Sequence, residues 1–205
     1  MSNLRFREFY RRRLPHIQIP GATYFVTFRL KDSLPVEILE QLASESEQIR
    51  QFATDQQYIA HRRWFGKFDD YLDRCLAGEK YLENEQIRSI IADSLHRRDG
   101  QVYDLRAFCL MPNHIHVVFT PLEKAGGSYH SLTEILHSLK RNSAKQANLV
   151  LNRTGAFWQD ESYDHYARDE AELDRIIKYV LHNPVKAGLT QDWKTWPGTY
   201  SKYPY

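Results

Sequence analysis

The 205-residue chain has only two cysteines, Cys75 and Cys109. That is too few for a disulfide framework or a cysteine-built zinc site. Cys109 lies in the apolar run AFCLM, where a reduced core thiol is expected, and this usage points to a cytoplasmic protein. No apolar stretch approaches the roughly 20 residues of a membrane helix. The arginine-rich start lacks the hydrophobic segment of an export signal, so neither insertion nor export is expected. The net charge of +2 is too small to argue by itself for a polyanion partner, which would need a local basic patch. Repeats, low-complexity segments and convincing linkers are also missing. One domain over residues 1–205 is therefore expected, with a basic leader at 1–20, a core at about 21–190 and an aromatic tail at 191–205.

With 42% hydrophobic and 26% charged residues, the chain can bury a sizeable core. The leader RFREFYRRR sets Arg5, Arg7, Arg11, Arg12 and Arg13 against the single Glu8, which alone reads as a solvated run. TYFVTFRL (23–30) is β-branched and aromatic between turn signals and predicts a first strand. Helical spacing follows in VEILEQLASESEQIRQF, RRWFGKFDDYLDRCL and NEQIRSIIADSLHRRDG, the last closing on Gly100 as a C-terminal cap. QVYDLRAFCLM and HIHVVFTP predict adjacent antiparallel strands joined through Pro112 and Asn113. Ser131 and Glu134 have capping-box spacing ahead of a helix whose polar side carries His137, Lys140, Arg141 and Lys145. Asp169 and Glu172 start another helix, expected to end at His182 or Asn183 because Pro184 disfavours α geometry before it. The tail's Trp193, Trp196, Tyr200, Tyr203 and Tyr205 are expected to pack on the body. Together these predict an α+β fold, an antiparallel sheet with helices on one face and the other face left for a site.

MPNHIHVVFTP, residues 111–121, contains the most informative pattern. A strand alternates its side chains, so His114 and His116 emerge on one face while Ile115, Val117 and Phe119 point into the core. Two imidazoles on one face can share a divalent cation, although spacing alone favours the plainer reading of two hydrogen-bonded histidines. Two ligands are too few for a useful site, which directs attention to KYVLHNPVKAG (178–188). There Tyr179 and Asn183 are one helical turn apart with His182 beside them. An asparagine oxygen suits magnesium or manganese, and a tyrosine can serve as a nucleophile if its phenol, with a pKa near 10, is activated. Spacing alone favours reading Tyr179 as one core residue among thirteen tyrosines.

MPNHIHVVF, SLTEILHSLKR and FWQDESYDHYARDEAELDRIIKYVLHNPVKAGL, in that order, resemble the single-tyrosine, IS200-like transposases of the HUH endonuclease superfamily. Within that group they resemble the REP-associated tyrosine transposases, which act at repetitive extragenic palindromes. The resemblance implies a ferredoxin-like antiparallel sheet with helices packed on one face, a helical insertion and a C-terminal catalytic helix. It also implies that His114, His116 and Asn183 hold Mg2+ or Mn2+ and that Tyr179 is the nucleophile, with His182 an alternative third ligand. Tyr163 and Tyr166 are rival nucleophiles by residue type. The implied activity is cleavage and rejoining of single-stranded DNA beside REP-like hairpins through a 5′-phosphotyrosine. Lys140, Arg141, Lys145, Arg11, Arg12 and Arg13 would bind DNA, and a monomer is expected. A hairpin-binding protein without turnover and a water-using hydrolase are the alternatives. The stretch 64–100 exceeds what the minimal core requires.

Overall fold

The computed structural model describes residues 9–11, 15–17 and 19–205. Arg12 and Arg13 lie outside the described residues, and only the backbone of Arg11 is described. Strands β1 (Phe9–Arg11) and β2 (Pro15–Ile17) form a small antiparallel ribbon. The main sheet holds β3 (Tyr24–Leu30), β4 (Tyr103–Leu110), β5 (His114–Pro121), β6 (Trp158–Tyr166) and β7 (Thr199–Ser201). All its pairings are antiparallel, in the order β6-β3-β5-β4-β7.

The helices are α1 (Val36–Ile49), α2 (Thr54–Asp73), α3 (Glu85–His96), α4 (Leu132–Val150) and α5 (Glu170–Lys186). In chain order β3, α3, β4, β5, α4 and β6 make the β-α-β-β-α-β unit of a ferredoxin-like sheet. Helices α3 and α4 cover one face through Ile87, Ile91, Ile135 and Leu139, which meet Val26, Phe28, Ile115 and Val117. The histidine face is not free. It is covered by α1, α2 and α5, whose Leu42, Phe65, Leu72, Ile177 and Leu181 pack on Phe25, Cys109 and Val118. Covering both faces buries every residue of β3, with Tyr24, Val26, Phe28 and Leu30 turned to α3 and α4 and the polar Thr27 and Arg29 buried on the histidine face.

The Ser131 capping box and the Asp169 cap both form. Helix α3 instead ends at His96, and Gly100 falls in the following turn at φ +73°. Helix α5 continues through Pro184 to Lys186. Proline lacks an N–H donor, but the loss falls in the last turn, where Ala187 N still bonds Asn183 O at 2.9 Å and Leu189 N bonds Pro184 O at 2.9 Å. Strand β6, polar and broken by charges, was not evident from pattern. It forms because its backbone pairs with β3. The tail docks as β7 on β4, with Trp196 Nε1 donating to Leu110 O at 2.9 Å. Among the described residues no helix is long and apolar enough to cross a membrane.

Candidate active site

His114 and His116 alternate along β5 as their spacing requires, and both are fully buried. Each ring is held by its Nδ1. His114 Nδ1 lies 2.7 Å from Asn113 Oδ1, while Asn113 itself donates to Leu72 O of α2 at 3.1 Å. His116 Nδ1 lies 2.7 Å from Thr27 Oγ1 on the neighbouring β3. A carbonyl oxygen can only accept, so the proton of His114 sits on Nδ1 and leaves a lone pair on Nε2. The two Nε2 atoms converge to 3.1 Å. Burial, then the neighbouring His116, pulls His114 down to about 3, so the ring is neutral at physiological pH.

Helix α2 brings carboxylates to the same point. Asp69 Oδ1 stands 3.1 Å from His116 Nε2 and 3.9 Å from His114 Nε2, and Asp73 Oδ1 is 3.8 Å from His114 Nε2. Ligand atoms of Asp69, His114 and His116 all fall within 4.8 Å of one another. Burial opposes ionisation of Asp69, but the facing imidazoles and the Tyr179 hydroxyl outweigh it and hold the carboxyl below its ordinary range. Burial and the Asp69 charge raise Asp73 to about 6.

Helix α5 supplies the third wall with Tyr179, Asn183 and Lys186 on one face. The Tyr179 hydroxyl donates to Asp69 Oδ2, and Asn183 Nδ2 donates to the same oxygen at 3.2 Å. Lys186 Nζ reaches Asp70 at 2.6 Å, Asp73 at 3.2 Å and Asp69 at 3.4 Å. The start of α5 is pinned to α2 through Tyr58, which donates to Glu172 at 2.5 Å. Burial, then the Asp69 charge, pushes the Tyr179 phenol far above its ordinary value.

These residues fit a divalent cation. Asp69 Oδ1, Asp73 Oδ1 and Asn183 Oδ1 are buried without a hydrogen-bond donor, and the His114 Nε2 lone pair lies 3.9 Å from Asp69 Oδ1 and 3.8 Å from Asp73 Oδ1. Lone pairs converging in a buried space repel unless a cation lies among them, and imidazole with carboxylate and amide oxygens is a donor set for a borderline or hard divalent ion.

A family profile described as Transposase IS200 like matches residues 76–183. The chain belongs to that family. The matched segment includes His114, His116, Tyr179 and Asn183 and leaves out α1 and α2 with Asp69. A Haemophilus influenzae protein named as a REP-associated tyrosine transposase is 26% identical over 106 residues, which is 49% of this chain and 59% of that relative. The chain thus aligns with little more than half the length of the curated relative. The solved structure of a REP-associated tyrosine transposase bound to a REP hairpin superposes with a TM-score of 0.51 and 18% identity, covering 93% of this chain and 80% of the other.

Within the IS200-like fold some expected site residues meet and others do not. His114, His116, Tyr179 and Asn183 come together. His182 does not: it is exposed and bonds the Lys178 carbonyl at 2.9 Å, because a residue next to Asn183 on a helix points about 100° away. Tyr163 is stacked on Phe65 at 4.0 Å, and Tyr166 packs against the core on the far face. Lys140 is a correction. Its ammonium bonds Gln159 O at 2.8 Å, Asp160 O at 2.9 Å and Ser162 Oγ at 2.7 Å, so its three donors tie α4 to β6 and leave none for a phosphate. Arg141 and Lys145 are exposed on α4, across the sheet from the histidines. Asp69 was missed, yet FDDYLD carries a signal. Phe65, Asp69 and Leu72 share one helical stripe, and a carboxylate in an apolar stripe asks for a partner.

Proposed function

We propose that this chain cuts and rejoins single-stranded DNA with Tyr179 as nucleophile and a divalent cation, Mg2+ or Mn2+, held by His114, His116, Asp69 and Asn183. One observation carries the reading. The two oxygens of Asp69 are divided between the histidine pair and the Tyr179 hydroxyl, so one carboxylate links the prospective cation to the prospective nucleophile. Membership of the IS200-like family supports the same class of chemistry.

In this reading the Tyr179 oxygen attacks the scissile phosphorus, the bond from phosphorus to the 3′ oxygen breaks, and a 5′-phosphotyrosine and a free 3′-hydroxyl result. The phenol proton leaves along its hydrogen bond to Asp69, and a proton from solvent completes the 3′-hydroxyl. A bound cation would polarise the phosphate and offset the carboxylate charge that now disfavours phenolate. Asn183 holds Asp69 from the same helix face as Tyr179, so nucleophile and carboxylate keep a fixed separation. Reversal of the attack by a 3′-hydroxyl reseals the strand without an external energy source.

Hairpin DNA is the proposed substrate, supported by the similar fold whose solved structure is bound to a REP hairpin. Arg141 and Lys145 are the proposed phosphate contacts for its stem. Tyr179 reaches the histidines of its own chain, which supports a monomer acting in cis. The test is denaturing-gel and intact-mass analysis of the protein with single-stranded hairpins from its genomic neighbourhood, with manganese, magnesium or chelator. A metal-dependent adduct absent in Tyr179→Phe is expected. Cleavage without an adduct would favour the water-using hydrolase, and tight binding with neither would favour a hairpin-binding module.

A further inference from the structure

Strand β3 carries a second buried polar group on the histidine face. Arg29 lies opposite His114 in the β3–β5 register, is only 6% exposed, and its one hydrogen bond among the described residues runs from Nη1 to Ser33 Oγ at 3.1 Å. Arg29 lines a cavity of about 370 Å³ between α1, α2 and β6, whose lining also includes Glu47, Arg50 and Glu161. Trp64 and Phe68 form one wall, their rings 5.5 Å apart and 7° from parallel. Tyr163 and Thr27 complete the floor, and the Thr27 hydroxyl is the one that holds His116. Ser46, 3% exposed, also lines the cavity, and its hydroxyl has no hydrogen-bond partner.

Burying a guanidinium with most of its five donors unused is unfavourable unless something enters to accept from it. Burial lowers Arg29 to about 10, which leaves it a cation at neutral pH. Aromatic walls disfavour a phosphate, whose charge would lose its water, and favour a flat neutral ring with acceptors on one edge. Two unpaired DNA bases offer two adjacent acceptors to a forked guanidinium, guanine through O6 and N7 and cytosine through O2 and N3, and the larger purine ring better fills a cavity of about 370 Å³ walled by two parallel aromatic rings. We propose that this cavity takes one unpaired guanine of the DNA strand that is cut, its O6 and N7 edge on Arg29 and its face along the Trp64 and Phe68 wall.

Placement supports a strand rather than a free nucleotide. A second groove, of about 400 Å³, lies between α4 and β6 and includes Arg141. Gln159, Glu161 and Ser162 of β6 line both grooves. DNA held by Arg141 and crossing β6 toward His114 therefore passes the Arg29 cavity first. The inference rests on the DNA strand-transfer reading above and names the base that its site selects.

Fluorescence anisotropy in chelator tests it, with oligothymidylate carrying a single guanine, inosine, 7-deazaguanine, adenine or cytosine, and a gain for cytosine equal to that for guanine would overturn the choice of base. Guanine and inosine should tighten binding about tenfold over plain oligothymidylate, as one good bidentate contact does, whereas 7-deazaguanine and adenine should not. Arg29→Lys, and Ala43→Trp at the exposed rim of the cavity, should each erase that gain relative to the same variant's affinity for plain oligothymidylate. A gain that survives both variants, no gain for guanine, or competition by free GMP as strong as by the oligonucleotide would overturn the proposal. These titrations need no cleavage. Loss of guanine preference alongside an intact phosphotyrosine adduct overturns the cavity alone, and absence of both strand binding and adduct overturns the strand-transfer reading.

Discussion

The hydroxyl of Tyr179 on α5 donates to the carboxylate of Asp69 on α2, across 110 residues of chain. Asp69 lies outside the segment that matches the IS200-like family, and the two helices between β3 and α3 bring its carboxylate against residues of that segment. The same carboxylate faces His116 Nε2 at 3.1 Å, and a change there should be felt on both sides.

Asp69→Asn should weaken Mn2+ binding, measured by calorimetry or manganese electron paramagnetic resonance, by about tenfold or more, because a charged ligand becomes a neutral one. Unchanged affinity would remove Asp69 from the metal set and leave His114, His116 and Asn183.

Tyr179→Phe should abolish the covalent adduct and lower strand cleavage by at least about a thousandfold, the order of effect expected when a covalent nucleophile is lost. Hairpin affinity should be little changed. Cleavage at the original rate would exclude Tyr179 as the attacking group.

Acid should destabilise the metal-free protein through His114. Its folded pKa of about 3 lies below its ordinary value of 6.5, so the unfolded chain binds the extra proton and stability present above 6.5 is lost as pH falls toward 3. The loss should be on the order of a few kcal/mol. Asp73 acts in the opposite sense. Raised from 3.8 to about 6, it contributes stability below 3.8 that disappears as pH rises through 6. Asp73→Asn should therefore steepen the acid limb in thermal melts between pH 7 and 4, and a limb that stays flat in that variant would contradict a buried neutral His114.

Lys140 and Arg141, adjacent in sequence, should behave differently. Lys140→Met strips the cation from three backbone carbonyls and Ser162 and should cost about 1–3 kcal/mol of stability, with no specific effect on DNA. Arg141→Ala and Lys145→Ala should leave the melting temperature nearly unchanged, weaken hairpin binding and each reduce the slope of log affinity against log salt by about 1. Equal effects of all three on the salt slope would return Lys140 to the DNA surface.

Light scattering should report the 24.3 kDa chain as a monomer. Mixing Tyr179→Phe with His114→Ala should restore no adduct, since each molecule carries one broken half of its own site. Restored activity would demonstrate exchange of α5 between chains.

The sequence by itself determined the parts of the fold that follow from local rules. The period-two pattern of HIHVVF put both histidines on one face, the Ser131 capping box started α4, the Asp169 cap started α5, and the spacing of Tyr179 and Asn183 placed them on one helical face. What it could not determine depends on contacts distant along the chain. Strand β6 has no alternating pattern because its partner β3, not its own side chains, decides its conformation. Asp69 looked like one acid in a charged helix until docking of α2 buried it against His116, and Lys140 looked like a free cation until β6 was seen to present acceptors to it. Which polar groups are solvated and which are held by a partner is set by burial. That property belongs to the packed arrangement of elements and to no single segment.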